Sequence, residues 1–290
     1  MDSFTFAFPL LRKYKLKATI WVNPDFVDNN DDRIRPTLED YWNGKKTLEE
    51  LNSFDGFLNW AEMRKMEKSG FIDIQSHTLT HTKYPVSDKI VDFVSPSTKI
   101  DWLYWNLFPE DKPYFLSNPH FKIPLGYPIY KSERSNIARI YQENGILTNQ
   151  IVNYVKVNGE EKFFNSQDWK EKLFNLSSEI INKSEVNYKK ESDDEYKDRL
   201  KFELIESKRI IEKNLHKSVN HLCWPFGGRN EDTIKMAEEI GYITTTAKSG
   251  KNIFNKKLFQ RVERMALDNP KYQNYLFYFY AFYKLYGCKF

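Results

Sequence analysis

Twice in this chain a helical run stops at a glycine and a β-rich run begins at the next residue. FLNWAEMRKMEKSG at 57–70 is followed by FIDIQSH, and EDTIKMAEEIG at 231–241 is followed by YITTTA. In the first, Trp60, Met63 and Met66 fall near one face, and Gly70 is the stop, because glycine takes the left-handed conformation that ends a helix without steric cost. Helix before strand recurs at both ends of the chain. SFTFAFPLLRKY at 3–14, with a kink expected at Pro9, precedes KATIWVN at 17–23. DDEYKDRLKFELIESKRIIEKNL at 193–215 precedes VNHLCW, with Leu200, Leu204, Ile211 and Leu215 near one face and charges elsewhere. The alternation predicts an α/β fold with a parallel sheet and helices outside it, since parallel neighbours need a crossover.

The 290 residues are enough for one large domain with a sizeable core. Two stretches interrupt the alternation. Residues 28–56 are polar and read as an insertion; residues 84–190 have no clear period and hold prolines at 85, 96, 109, 113, 119, 124 and 128. The second stretch reads as a long insertion with structure of its own inside a single 1–290 domain. Within it, the run around Tyr130, Lys131 and Arg134 reads as a solvated helix start or as a cover over a pocket. The last stretch, 275–290, is an aromatic tail, YLFYFYAFYKLYGCKF. It is too short to span a bilayer, so it packs on the body or makes a peripheral membrane contact.

Charge excludes one class of function. The 44 basic and 40 acidic side chains leave a net charge of +4 that is dispersed along the chain, which is no footprint for nucleic acid. Two cysteines, Cys223 and Cys288, are too few for a disulfide framework.

Chemistry concentrates where strands end. In parallel α/β folds the carboxyl ends of strands carry the site, and two polar clusters, QSHTLTH at 75–81 and WPFGGRN at 224–230, fall at such ends. His77 and His81 have the spacing of a metal-ligand pair. They read equally as two hydrogen-bonded side chains without a metal. Thr78 stands where a zincin needs its glutamate, so that class is disfavoured. Trp224, Pro225, Phe226 and Gly227 read either as an aromatic wall for a sugar face or as a core turn. Of the other histidines, His216 is expected in solvent near a helix end. His221 lies on the strand leading to the turn, and His120 carries no signal.

SGFIDIQSHTLTH resembles the second motif of the polysaccharide deacetylases, the NodB-homology carbohydrate esterases. CWPFGGRNEDTIKMAEEIGYITTTA is similar to the stretch where that family lines its pocket, and LFQRVERM near 258–265 to its late strand bearing an arginine, here Arg261. The resemblance implies a distorted (β/α) barrel and hydrolysis of acetyl groups from an N- or O-acetylated polysaccharide or cell-wall glycan. It also implies a divalent metal, zinc by preference, on His77 and His81, with Trp224, Pro225, Phe226, Gly227 and Arg261 on the substrate. The family's third ligand and its base are aspartates at the end of a first strand. Aligned on Phe8-Pro9-Leu10 they fall upstream of Met1, and Asp2 comes several residues too late. The first strand is therefore expected to be missing, and the chain as given to be impaired. The other readings are a non-catalytic carbohydrate-binding relative and a membrane-peripheral protein acting through its tail. The compartment follows from any leader upstream: cell envelope with one, cytoplasm without.

Overall fold

The computed structural model describes residues 3–53, 56–117, 123–247 and 260–263. A short π-helical turn, Ser3–Ala7, runs into α1 (Phe8–Lys13), with Pro9 in the first turn of the α-helix, where no intrahelical N–H is lost. Next come β1 (Ala18–Val22), the short helices α2 (Leu38–Trp42) and α3 (Leu48–Asn52), α4 (Trp60–Lys68) and β2 (Ile72–Ser76). The 84–190 stretch contributes β3 (Lys83–Phe93), α5 (Asp101–Leu107), β4 (Pro128–Arg134), β5 (Tyr141–Glu143), α6 (Ile146–Val157), α7 (Trp169–Lys183) and β6 (Tyr188–Lys190). The chain then returns through α8 (Asp193–Leu215), β7 (His221–Cys223), α9 (Glu231–Glu239), β8 (Thr244–Ala247) and β9 (Gln260–Glu263).

Several helices begin where their sequences provide caps. Asn59, Ser192 and Asn230 each close a reciprocal capping box, on α4, α8 and α9, an arrangement worth about 1 kcal/mol per cap. Gly70 and Gly241, at φ +71° and +95°, make the left-handed turns that end α4 and α9.

Five strands form one sheet in the order β1-β2-β7-β8-β9, every neighbouring pair parallel. Among the described residues β9 does not pair back to β1, so the architecture is a mixed α/β fold with a parallel sheet. Its core joins Phe4, Phe8, Met63, Met66, Ile72 and Ile74 to Leu200, Leu204, Ile211, Leu222 and Trp224. β2 is buried on both faces, including its polar Gln75 and Ser76. Gln75 Oε1 accepts from the N–H groups of Asn220 and His221 at 3.0 and 2.9 Å, tying β2 to the start of β7 where only Ser76 and Leu222 pair.

The 84–190 stretch is organised around an antiparallel β3–β4 pair and a smaller β5–β6 pair. Two further apolar clusters form there. One centres on Phe93, Leu147, Ile151 and Leu173, the other on Val94, Leu103, Tyr104 and Ile129. Tyr130, Lys131 and Arg134 lie on strand β4, not at a helix start: Pro128 to Tyr130 are buried against β3, and the register runs Lys83 to Arg134. The aromatic tail at 275–290, His120 and Asp2 lie outside the described residues.

Candidate active site

A single row crosses the sheet: Val22, Ser76, Leu222, Thr245 and Arg261 are successive register partners. The residues just beyond it on β1, β2 and β7 are Asn23, His77 and the Cys223–Trp224 pair. Segments far apart in sequence therefore meet at one edge of the fold, as the strand-end rule requires.

His77 is fixed from three sides. Its N–H donates to Val22 O at 2.9 Å. Its carbonyl accepts from Asn23 Nδ2, which also donates to Thr78 O at 3.2 Å. Its ring Nδ1 lies 2.6 Å from Cys223 O. A carbonyl oxygen only accepts, so Nδ1 carries the proton and the lone pair is on Nε2, the tautomer that a ligand or base at Nε2 requires. His81 stands opposite, with ring centroids 5.0 Å apart and 46° between the planes. Burial pulls the His81 imidazole below its ordinary value, which favours its neutral form.

The backbone that brings the rings together is strained. Thr78 and His81, at φ +63° and +46°, are non-glycine residues in the left-handed region, and Phe226 across the site is a third at +51°. Each such residue costs about 1–3 kcal/mol and persists only where its surroundings over-determine it. Thr78 is fully buried, its N–H on Ser76 Oγ at 3.2 Å.

The turn after β7 divides into two parts. Trp224 and Pro225 are buried, Trp224 completely and inside the main core, so in this structure they present no face to a ligand. Phe226 is exposed, its ring centroid 4.4 Å from that of His81, with Lys83 Nζ 5.1 Å from the same ring. Gly227 takes φ +71°. Its neighbour Gly228 is set by close approach: a Cβ there would lie 2.7 Å from Arg134 Cβ on β4. Arg261 lies on β9 at the register position beside Thr245.

Beside His81 a cavity of about 410 Å³ opens between the end of β1 and α5. Trp21, Phe26, Trp105 and Phe115 line it with Asn23 and His81. Phe26 and Trp105 meet edge to face at 4.7 Å, and Trp105 also contacts Phe115 at 5.4 Å. The lining is mostly apolar, and of the two histidines only His81 reaches it.

Two imidazoles suit a borderline cation such as Zn²⁺. Among the described residues, however, no group of three or more His, Cys, Asp and Glu side chains could hold an ion. The described residues thus supply two of the three protein ligands of an open catalytic zinc site.

Three features of the site have no signature in the strand-end motifs. Asn23 acts through its amide, Cys223 through its backbone carbonyl, and Glu203 on α8 through a buried carboxylate that accepts from Leu79 and Thr80. Glu203 corrects the expectation that charges lie off the apolar face of 193–215. It is three residues from Leu200 and four from Ser207, all buried, a spacing that places it on the buried face.

The two other histidines among the described residues lie apart from the pair. His216 is exposed at the left-handed end of α8. His221, at the start of β7, has its imidazole held below the ordinary 6.5, first by burial, opposed by Asp73 and reinforced by Lys217. With the folded value below the unfolded one, its contribution to stability is present above 6.5 and is lost as pH falls towards the folded value. Urea midpoints measured between about pH 7 and pH 5 are therefore expected to decline less steeply in His221→Gln than in the parent. Equal slopes would remove His221 as a source of acid sensitivity.

Residues 2–104 match the family model described as polysaccharide deacetylase. The resemblance in the sequence thus holds over the QSHTLTH motif at 75–81. No curated protein matches the chain significantly. Among solved structures, a de-N-acetylase from Aggregatibacter actinomycetemcomitans is similar at 17% identity and TM-score 0.50, over 92% of this chain and 66% of that one. The BpsB deacetylase domain from Bordetella bronchiseptica is similar at 16% identity and TM-score 0.49, over 91% of this chain and 66% of its own. The chain thus spans slightly less than two thirds of those structures' length. At such identities the likeness to the de-N-acetylase concerns the fold: an α/β chain built on a parallel sheet.

Proposed function

We propose, from the polysaccharide deacetylase match over residues 2–104, that the chain is a carbohydrate deacetylase that hydrolyses acetyl groups on an N- or O-acetylated glycan. One observation carries the reading. The family's histidine motif ends in a facing pair of imidazoles 5.0 Å apart, and His77 has its tautomer fixed by Cys223 O. The cavity beside His81 supports a saccharide ring as the group bound there. In this reading His77 and His81 are two ligands of a divalent metal, zinc by donor type, which when bound would polarise the acetyl carbonyl and acidify a water. Phe226 flanks the substrate, and Arg261 is a substrate contact from the far strand. The five-stranded sheet is taken as the arc of a distorted barrel, and residues 84–190 as an insertion within one domain.

His77 Nε2 and the neutral His81 can each accept a proton or hold a water against the acetyl group. With two imidazoles as the donors described, residues 1–290 are expected to bind Zn²⁺ weakly and to turn over slowly. Calorimetric Zn²⁺ titration and acetate release from N-acetylated chito-oligosaccharides test this together. Weak binding that disappears in His77→Ala is the expected result. Binding that His77→Ala leaves unchanged would sink the metal reading. Oligosaccharide binding with no acetate released, even with Zn²⁺, would favour a carbohydrate-binding relative instead.

A further inference from the structure

The three residues between the histidines are gripped from one side by α8. Glu203 and Ser207 lie one turn apart on that helix, both buried, facing the end of β2. Ser207 Oγ is 2.8 Å from Ser76 Oγ, which also accepts from Tyr242 OH at 3.0 Å. Glu203 takes the next segment. Its Oε2 accepts the N–H groups of Leu79 and Thr80, both at 3.1 Å, and its Oε1 accepts the Thr80 hydroxyl at 2.7 Å.

Three donors from two adjacent residues thus converge on one carboxylate. Consecutive backbone N–H groups that point one way make a cradle for an acceptor, and here the acceptor is the protein's own side chain. The cradle lies between Thr78 and His81, the two left-handed residues of the loop. Strained conformations of this kind need outside contacts to hold them. His77 has its own anchors on β1 and β7. The backbone of His81 follows directly from Thr80.

We propose that Glu203 is a positioning residue that sets His81 against His77, so that α8 fixes the separation of the pair. The proposal rests on reading that pair as the reactive site. A glutamate suits the task because a carboxylate accepts from all three donors. A glutamine can keep one oxygen on the two amides while the Thr80 hydroxyl turns to accept from its NH₂ group, so E203Q is the conservative rescue.

Imidazole ¹⁵N spectra, the nuclear Overhauser effect between the two rings, and amide exchange of the folded chain test it. In E203A the ring–ring effect should vanish, and exchange at Leu79 and Thr80 should rise by about a hundredfold or more while β2 and β7 keep their protection. E203Q should restore both to within about tenfold of the parent. A folded E203A that keeps the ring–ring effect and the Leu79 and Thr80 protection overturns the proposal. So does a loss of protection spread evenly over the sheet with the ring contact kept, since that is a role in global stability alone. If E203A does not fold, E203D keeps the charge but shortens the reach, and unchanged His81 ring signals there overturn it equally. Zn²⁺ titration of the parent keeps the two questions apart: a parent that binds none ends the metal reading, while the spectra still decide Glu203.

Discussion

Glu62→Ala is expected to destabilise the protein by about 3–5 kcal/mol, because it strands a buried guanidinium. Arg35 and Glu62 have fully buried side chains, 2.6 Å apart at their closest. Arg35 Nε donates to Oε1 at 2.8 Å, its backbone N–H to the same oxygen at 3.0 Å, and Nη1 to Gly56 O at 3.1 Å. Glu62 is also the capping-box residue of α4. The pair rivets the polar 28–56 stretch to that helix, and for a chain of this size the loss corresponds to a fall in Tm of roughly 10 °C. Breaking the pair is what costs, so Arg35→Met with Glu62→Leu should recover most of the deficit, since replacing both partners avoids the unpaired charge. Denaturant unfolding of the single and double variants decides. A loss below about 1 kcal/mol in Glu62→Ala would mean that Arg35 finds water or another acceptor.

The second large effect is at Trp224. Trp224→Ala removes a fully buried indole from the main core and is expected to cost about 3–5 kcal/mol. Trp224→Phe should cost less than about 1.5 kcal/mol. The reason is specific: Trp224 Nε1 is buried with no hydrogen-bond partner among the described residues, so phenylalanine removes a polar atom that contributes nothing. The same denaturant measurement separates the two substitutions. A phenylalanine variant as unstable as the alanine one would show that the indole nitrogen has a partner.

The difference between Trp224 and Phe226 marks how far the sequence could be read. An aromatic beside a proline after a strand reads equally as a sugar wall or as core. Side-chain type does not reveal that the left-handed backbone at Phe226 turns that ring outwards while Trp224 turns inwards. His77 and His81 were legible because strand, glycine stop and spacing all agreed on a strand end. Their supports were only partly so. Glu203 could have been found, because it lies on the apolar stripe of α8. The carbonyl of Cys223 could not, since a backbone acceptor has no residue signature. β4 has little local signature, because Pro128 and the charges of 131–134 obscure a strand whose burial comes from pairing with β3, some 40 residues earlier in the chain. Long-range pairing of this kind leaves little local pattern.

The departure point of the 84–190 stretch has one more consequence. A single residue, Thr82, separates His81 from β3, and Thr82 is clasped to α5 through Asn106 at 2.6 Å. At the same end of the strand pair, Arg134, the register partner of Lys83, lies so close to Gly228 that no side chain fits between them. The hairpin therefore touches both walls of the site, the histidine loop on one side and the Phe226 turn on the other. Lineages that reshape this stretch would alter the aperture between those walls while the parallel sheet stayed as it is. In the proposed deacetylase, substrate preference would then be set by residues 84–190 with His77 and His81 unchanged.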